Sequence, residues 1–561
     1  MIGIHVLYLS PAVTETEKEL KMQILKRPGT WRRIVAALVL AALLAACGGS
    51  PSAQGTPTPQ ATLIPQGTPT PLPCNTSAAA SATSVPPGAP VEDICDATEW
   101  PSPNENLYNT RVAHSTIAST NVSELKIAWT IPLQGTGATG ADVANPVIAN
   151  GIAYLQDGAS NVIAVQDATG RILWTHKYNS PDYGPNGVTI ANGRIYGVTA
   201  SGVFALDAHT GQQVWYETHL AADGTCSFCF NIAPQVANGK VFVSSALTFG
   251  GGIIYALDAA SGATLWSFQT VVDKTGQQLK ATAGGAWDAL LIGPDNSVYA
   301  GIGNPYISLQ QAQATPSREL YTDSLVKLSQ AAGKLAWYYQ AFPDDFHDWD
   351  LQISPIYTTT AAGRPVILAA GKGGFVFAFD AMSGQLLWKT AVGIHNGHDD
   401  DDQLALGGKL HLQTPYTLEP GEAGGVETNM AAADGVVYVP VENLPETFAT
   451  ATARVGTSNF SQGKGEMVAI DIATGKPRWA TQLPQLPFGG ATVSNDLVWT
   501  TTFTGEVVAL SRKAGSVVWT AQLPAGSNAT LAIVGNTLLA GAGIPLTATQ
   551  HPVVVAYRPG T

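Results

Sequence analysis

Charged residues make up only 12% of this chain, so a place where they crowd together is a candidate for chemistry. One such place is Asp345-Phe-His347-Asp348-Trp349-Asp350. A carboxylate held beside a cation stays ionised near neutral pH and can accept a proton. The same residues also make turns, and that reading stays open. Lys372 stands in Ala370-Gly371-Lys372-Gly373-Gly374-Phe375. A single cation there would stabilise an oxyanion, or it is a turn lysine between two strands. Trp287, in Gly285-Ala-Trp287, offers a flat ring for stacking, or fills a core. His395-Asn-Gly-His398 runs into Asp399, Asp400, Asp401 and Asp402. Two histidines three residues apart suit a transition metal only sparsely. The aspartate run reads as a solvated insertion loop. No glycine-rich strand-to-helix phosphate loop, nucleophile elbow or zinc spacing is present.

These residues must be positioned by a repeating scaffold. Trp129, Trp174, Trp215, Trp266, Trp337, Trp388, Trp479 and Trp519 each end a similar unit. Two copies read Ala-Leu-Asp207-Ala-His-Thr-Gly211-Gln-Gln-Val-Trp215 and Ala-Leu-Asp258-Ala-Ala-Ser-Gly262-Ala-Thr-Leu-Trp266. Each pairs an apolar strand, an Asp/Gly turn and a second strand ending in Trp. Another strand pair, such as Gly193-Arg-Ile-Tyr196-Gly, lies upstream. That amounts to about four antiparallel strands per repeat, the content of a propeller blade. The spacing predicts an all-β chain: a single eight-bladed β-propeller with Trp-closed blades, preceded by a disordered tether. The strand Val553–Tyr557 is expected to close the ring by pairing near Trp129. Longer intervals after Trp266 and Trp388 mark insertions, which on such scaffolds often reach the working face.

Residues 1–46 read as a lipoprotein signal peptide, with Lys26, Arg27, Arg32 and Arg33 before a short apolar stretch. It ends Leu44-Ala45-Ala46-Cys47-Gly48, which resembles a bacterial lipobox with Cys47 as the lipidated residue. Residues 47–95 form a Pro/Thr/Ala/Ser linker that cannot bury enough surface to fold. The propeller is placed at 96–561. Export into an oxidising compartment favours disulfides, Cys226 with Cys229 and Cys74 with Cys95. The net charge of −13 argues against nucleic acid.

The opening Trp100-Pro-Ser-Pro-Asn-Glu-Asn-Leu-Tyr-Asn109-Thr-Arg111, followed by Asn121-Val-Ser-Glu-Leu125-Lys-Ile-Ala-Trp129, resembles that of quinoprotein alcohol dehydrogenases. The resemblance runs from about Trp100 to the C-terminus and implies an eight-bladed propeller holding pyrroloquinoline quinone (PQQ) and calcium. It implies that Trp287 is the floor beneath the quinone. Asn304, in Gly303-Asn304-Pro305, would bind calcium through its amide oxygen. Asp350 would be calcium ligand and catalytic base, and Lys372 would reach the quinone oxygens. Asn443 and Phe488 would lie near the cofactor. Three family features are missing. The capping cysteine pair is replaced by Asp182-Tyr183-Gly184-Pro185, the following Arg by Asn186 or Gly187, and the calcium-binding Glu by Leu247-Thr248.

The resulting expectation is a lipid-anchored, extracytoplasmic dehydrogenase of the bacterial cell membrane. It would oxidise an alcohol or sugar-like substrate and pass electrons to a separate acceptor. The alternative is a non-enzymatic propeller lipoprotein that binds protein partners as a scaffold after losing the cofactor.

Overall fold

The computed structural model describes residues 99–560 apart from 138, 143, 221–229, 247–250, 274–283 and 317–318. Cys47, Cys74, Cys95, Cys226, Cys229, Leu247 and Thr248 therefore lie outside the described residues, as do the leader and linker.

The described chain is almost wholly β, folded as eight main sheets: seven are four-stranded and antiparallel, and one adds Val112–Ala113 as a fifth strand, parallel to Thr492–Ser494. The first holds Val147–Ala149, Ile152–Gln156, Val162–Gln166 and Arg171–His176. Six more follow within 188–217, 235–269, 291–340, 356–391, 431–483 and 492–522. The eighth combines Ala532–Val534, Thr537–Ala542 and Val553–Pro559 with the early strand Leu125–Pro132. Trp129 stands opposite Ala556 there, so the two ends of the domain share one sheet. The first strands of most neighbouring sheets lie side by side, and that of the eighth lies against that of the first.

Burial explains the sequence pattern. Inner strands such as Val203-Phe204-Ala205-Leu206 are apolar without alternation because both faces are covered by neighbouring sheets. Outer strands such as Arg171–His176 are largely exposed. The turn before each outer strand is built by its aspartate. Asp207 Oδ1 accepts from Thr210 N at 2.8 Å, and Gly211 follows at φ 69°. Asp258, Asp380 and Asp471 repeat this, with Ser261, Ser383 and Thr474 as donors. Each turn receives the tryptophan of the preceding sheet. Trp174 lies on Gly211 and donates to Ala208 O at 3.1 Å; Trp215 lies on Gly262 and donates to Ala259 O at 3.1 Å. Trp479 meets Gly515 and Arg512 O in the same way, at 2.9 Å.

The segment Trp100–His114 tours the sheets. Ile148, Ile190, Ile292, Tyr357, Ala432, Val493 and Gly535 donate backbone N–H groups to Trp100, Pro101, Leu107, Tyr108, Thr110, Arg111 and His114 carbonyls in turn. Gln235 of the third sheet donates to Asn109 Oδ1 at 3.2 Å.

The insertions carry the short helices Leu309–Ala314 and Asp401–Leu406, which pack together. The second also carries a small sheet of Tyr416–Leu418, Glu446–Phe448 and Thr457–Ser458. Only the first half of the aspartate run is solvated as its sequence suggests: Asp400 is exposed and Asp399 half-buried. Asp401 and Asp402 are buried in the first turn of the helix, and Asp401 Oδ2 lies 2.8 Å from His398 Nδ1.

Candidate active site

In an antiparallel sheet, the start of the first strand and the end of the second lie at the same end. Trp287 precedes Leu291–Ile292, and Asn304 follows Ser297–Gly301. Asp350 precedes Ile356–Thr359, and Lys372 follows Pro365–Gly371. The topology therefore brings all four to one end of two adjacent sheets.

The side chains meet there. Asp350 is fully buried, and its Oδ1 accepts from Asn304 N at 2.5 Å. Its Oδ2 lies 2.8 Å from Lys372 Nζ. Asp348 Oδ2 lies 3.5 Å from the same ammonium. A Cβ at Gly303 would stand 2.6 Å from Asp350 Oδ1 and 3.2 Å from Trp287 Nε1. Only glycine leaves room for that approach. Trp287 is half-buried. Asn304 Oδ1 is buried without a hydrogen-bond partner.

Asp345 is the turn former of its segment. Its Oδ1 accepts from His347 N at 2.9 Å and its Oδ2 from Trp349 N at 2.8 Å. That leaves Asp348 and Asp350 for Lys372, so the turn reading and the chemical reading each fit part of the motif. Trp349 Nε1 donates to Pro420 O at 3.0 Å, and Val426 N to Gly371 O at 3.1 Å. These bonds dock the loop Pro420-Gly-Glu422-Ala-Gly-Gly-Val-Glu427 on the site.

That loop supplies the acids that the sequence reading missed. Glu427 accepts from Gln352 Nε2 at 2.8 Å. Burial pushes the Glu427 carboxyl well above its ordinary range, with Lys372 opposing. Glu422 is pushed up to about 8, first by burial and then by Glu446. Asp348 is raised by burial more than Lys372 lowers it. Burial works against charge on Lys372, but Asp348 and Asp350 together hold its proton more firmly than usual. Lys372 thus keeps its charge, while burial favours the neutral form of Glu422 and Glu427. Tyr306 and Tyr183 lie within electrostatic reach of Asp348 and Lys372. Tyr183 thus approaches the site from the stretch that lacks the cysteine pair.

Asn443 and Phe488 are engaged elsewhere. Asn443 Oδ1 accepts from Ile394 N at 3.0 Å. Its neighbour Glu442, on the opposite face of the strand, is fully buried and accepts from Glu427 N at 3.1 Å. Phe488 packs among Phe460, Phe503, Leu444 and Leu486. Asn186 Nδ2 donates to Asp157 O at 3.1 Å.

An all-β propeller with a buried carboxylate–lysine centre at one end of its sheets defines the class. Residues 100–392 match the family model for the glucose/ethanol/alcohol dehydrogenase β-propeller domain. The chain belongs to this PQQ-type β-propeller dehydrogenase family. Residues 417–554 match the model for outer membrane protein assembly factor BamB. Quinohemoprotein alcohol dehydrogenase ADH IIB of Pseudomonas putida is 26% identical over 476 residues, covering 73% of this chain and 67% of that protein. Quinohemoprotein alcohol dehydrogenase of Comamonas testosteroni is 26% identical, covering 76% and 70%. The lanthanide-dependent methanol dehydrogenase of Methylacidiphilum fumariolicum is 26% identical, covering 78% and 82%. The solved Comamonas enzyme superposes with a TM-score of 0.71 at 23% identity, over 86% of this chain and 84% of its own. BamB of Moraxella catarrhalis superposes with a TM-score of 0.50 at 17% identity, over 77% and 99%.

Proposed function

We propose that this protein is a PQQ- and calcium-dependent dehydrogenase of alcohols, built as one eight-bladed propeller over 96–561 with tryptophan-closed blades. The observation that carries the reading is the convergence of Trp287, Asn304, Asp350 and Lys372 at one end of adjacent sheets. The donors suit a hard cation: a carboxylate, plus an amide oxygen on Asn304 that is buried without a partner. The half-buried indole suits a flat ring. A polyacidic quinone beside these carboxyls needs positive charge, and Lys372 supplies part of it.

When bound, PQQ supplies a two-electron acceptor and calcium supplies Lewis acidity. The residues of the chain do the rest. Asp350 accepts the alcohol hydroxyl proton. Asn304 N–H fixes one oxygen of that carboxylate, and Lys372 approaches the other. Lys372 also offsets negative charge that develops on oxygen.

A scaffold draws support from the match over 417–554. A scaffold has no need of buried charge, which is costly to keep unless it is used. The enzyme reading accounts for it. In the same proposal Cys47 carries the lipid anchor, the domain stands outside the cytoplasm, and electrons pass to a separate acceptor.

Titrating PQQ into the protein with calcium, and in parallel with lanthanum, tests the cofactor claim. Saturable quenching of tryptophan fluorescence is expected, lost in Trp287→Ala and Asp350→Ala. Failure to saturate, or equal binding by both variants, contradicts it.

A further inference from the structure

We propose that His347, His398 and Asp401 form a binding site for a first-row divalent metal ion, zinc by choice of ligands, separate from the quinone and calcium site. His347 Nε2 lies 3.6 Å from Asp401 Oδ2, and His398 Nδ1 lies 2.8 Å from the same oxygen. The three ligand atoms all lie within 4.8 Å of one another. A tetrahedral zinc with bonds of about 2.0–2.1 Å needs ligand atoms about 3.3 Å apart. The two measured edges bracket that value.

A second observation points independently to a ligand. His347 is 2% exposed, and its Nε2 is buried with no hydrogen-bond partner. A buried polar nitrogen without a partner is costly unless something binds it. It faces Asp401, itself 6% exposed. The surroundings are apolar and aromatic: the rings of Phe346, Trp349, Tyr416 and Phe448 all lie tilted around the imidazole. Such a shell lowers the local polarity and strengthens coordination by neutral imidazole and carboxylate, with a water as the fourth ligand. His395 is not part of the set. Its Nδ1 faces Asp399 at 2.8 Å, and its Nε2 lies against the Gly374 and Val392 carbonyls.

The ligands come from two places. His347 belongs to the turn that ends in Asp350, and His398 and Asp401 belong to the insertion after Trp388. A bound zinc would clamp the insertion to the segment that presents the carboxylates. The site uses nitrogen ligands, so it prefers zinc to calcium even when calcium is in excess.

The test is zinc titration of the full chain, stripped with chelator and then loaded with excess calcium. One equivalent of zinc should bind, and cobalt in its place should give the visible bands of a four-coordinate ion. His398→Gln and Asp401→Asn should each weaken zinc binding by roughly 100-fold. His395→Gln and Asp350→Asn should leave zinc binding unchanged. Metal-free melting curves identify any variant that fails to fold, and His398→Gln alone suffices if Asp401→Asn does so. Absence of saturable zinc uptake by the folded, calcium-loaded protein overturns the proposal. So does uptake that survives His398→Gln.

Discussion

At the scale of single residues, the centre is one ammonium among several carboxyls. Lys372 is the only base in direct contact with Asp348 and Asp350 among the described residues. Lys372→Met strands both acids, and removing one partner from a buried ion pair costs about 3–5 kcal/mol. Denaturant unfolding of the metal-free protein should show that loss, and calcium should restore part of it; an unchanged midpoint contradicts the arrangement. A pH effect follows from the acids. Burial raises Glu422 and Glu442 from 4.5 to about 8 in the folded chain. Their protons then bind more tightly folded than unfolded. Stability from these groups is full below about 4.5 and is lost as pH rises through about 8. The melting temperature of the metal-free protein should fall between about pH 5 and about pH 8. A flat or rising profile would sink this assignment. Asp350 and Lys372 stood out in the sequence as charges in short acid- and glycine-rich motifs, and Asn304 only through the family likeness of Gly303-Asn304-Pro305. Glu422, Glu427 and Glu442 did not, since a loop and a strand end from the next sheet deliver them. The strand's alternation made the difference of one residue, turning Glu442 rather than Asn443 toward Glu427.

At the scale of elements, the repeating turn and the tryptophan before it act as one joint. Gly211 holds φ 69°, and a Cβ there would stand 2.6 Å from the Trp174 ring. Gly211→Ala should destabilise by about 2 kcal/mol, from backbone strain and the clash together. The cost should shrink in a Trp174→Ala background, where only the backbone part remains. Additive losses across the two substitutions would show that the ring and the turn are independent. The Asp/Gly/Trp unit was readable because each aspartate bonds within its own turn, three residues on. The run Asp399–Asp402 misled for the opposite reason. Its buried half faces His347, which sits far away in the sequence and meets Asp401 only in the folded chain. A rule about local charge density cannot see that partner.

At the scale of the whole domain, the segment Trp100–His114 is a binding strip that bonds to every sheet in turn. Arg111 is its anchor. The guanidinium is fully buried and donates to Asn104 Oδ1, Thr492 Oγ1 and the Pro103, Ala491 and Leu531 carbonyls. Arg111→Ala leaves those acceptors without their donor, and should lower stability by about 3–5 kcal/mol while leaving Lys372 and Asp350 in place. Equilibrium unfolding checks it; a change below about 1 kcal/mol would deny the strip its role. The opening motif was visible in the sequence as a family likeness, but its circular path was not, because nothing in its own residues encodes which strands it meets.

The central claim is that Asp350 is the base of an alcohol dehydrogenase. Alcohol-dependent reduction of an artificial electron acceptor, by protein loaded with PQQ and calcium, tests it most directly. Wild-type protein should turn over, and Asp350→Asn should lose roughly a thousandfold in kcat while still binding the cofactor. Undiminished turnover by Asp350→Asn, or none by the fully loaded wild type across a panel of alcohols, would contradict the account.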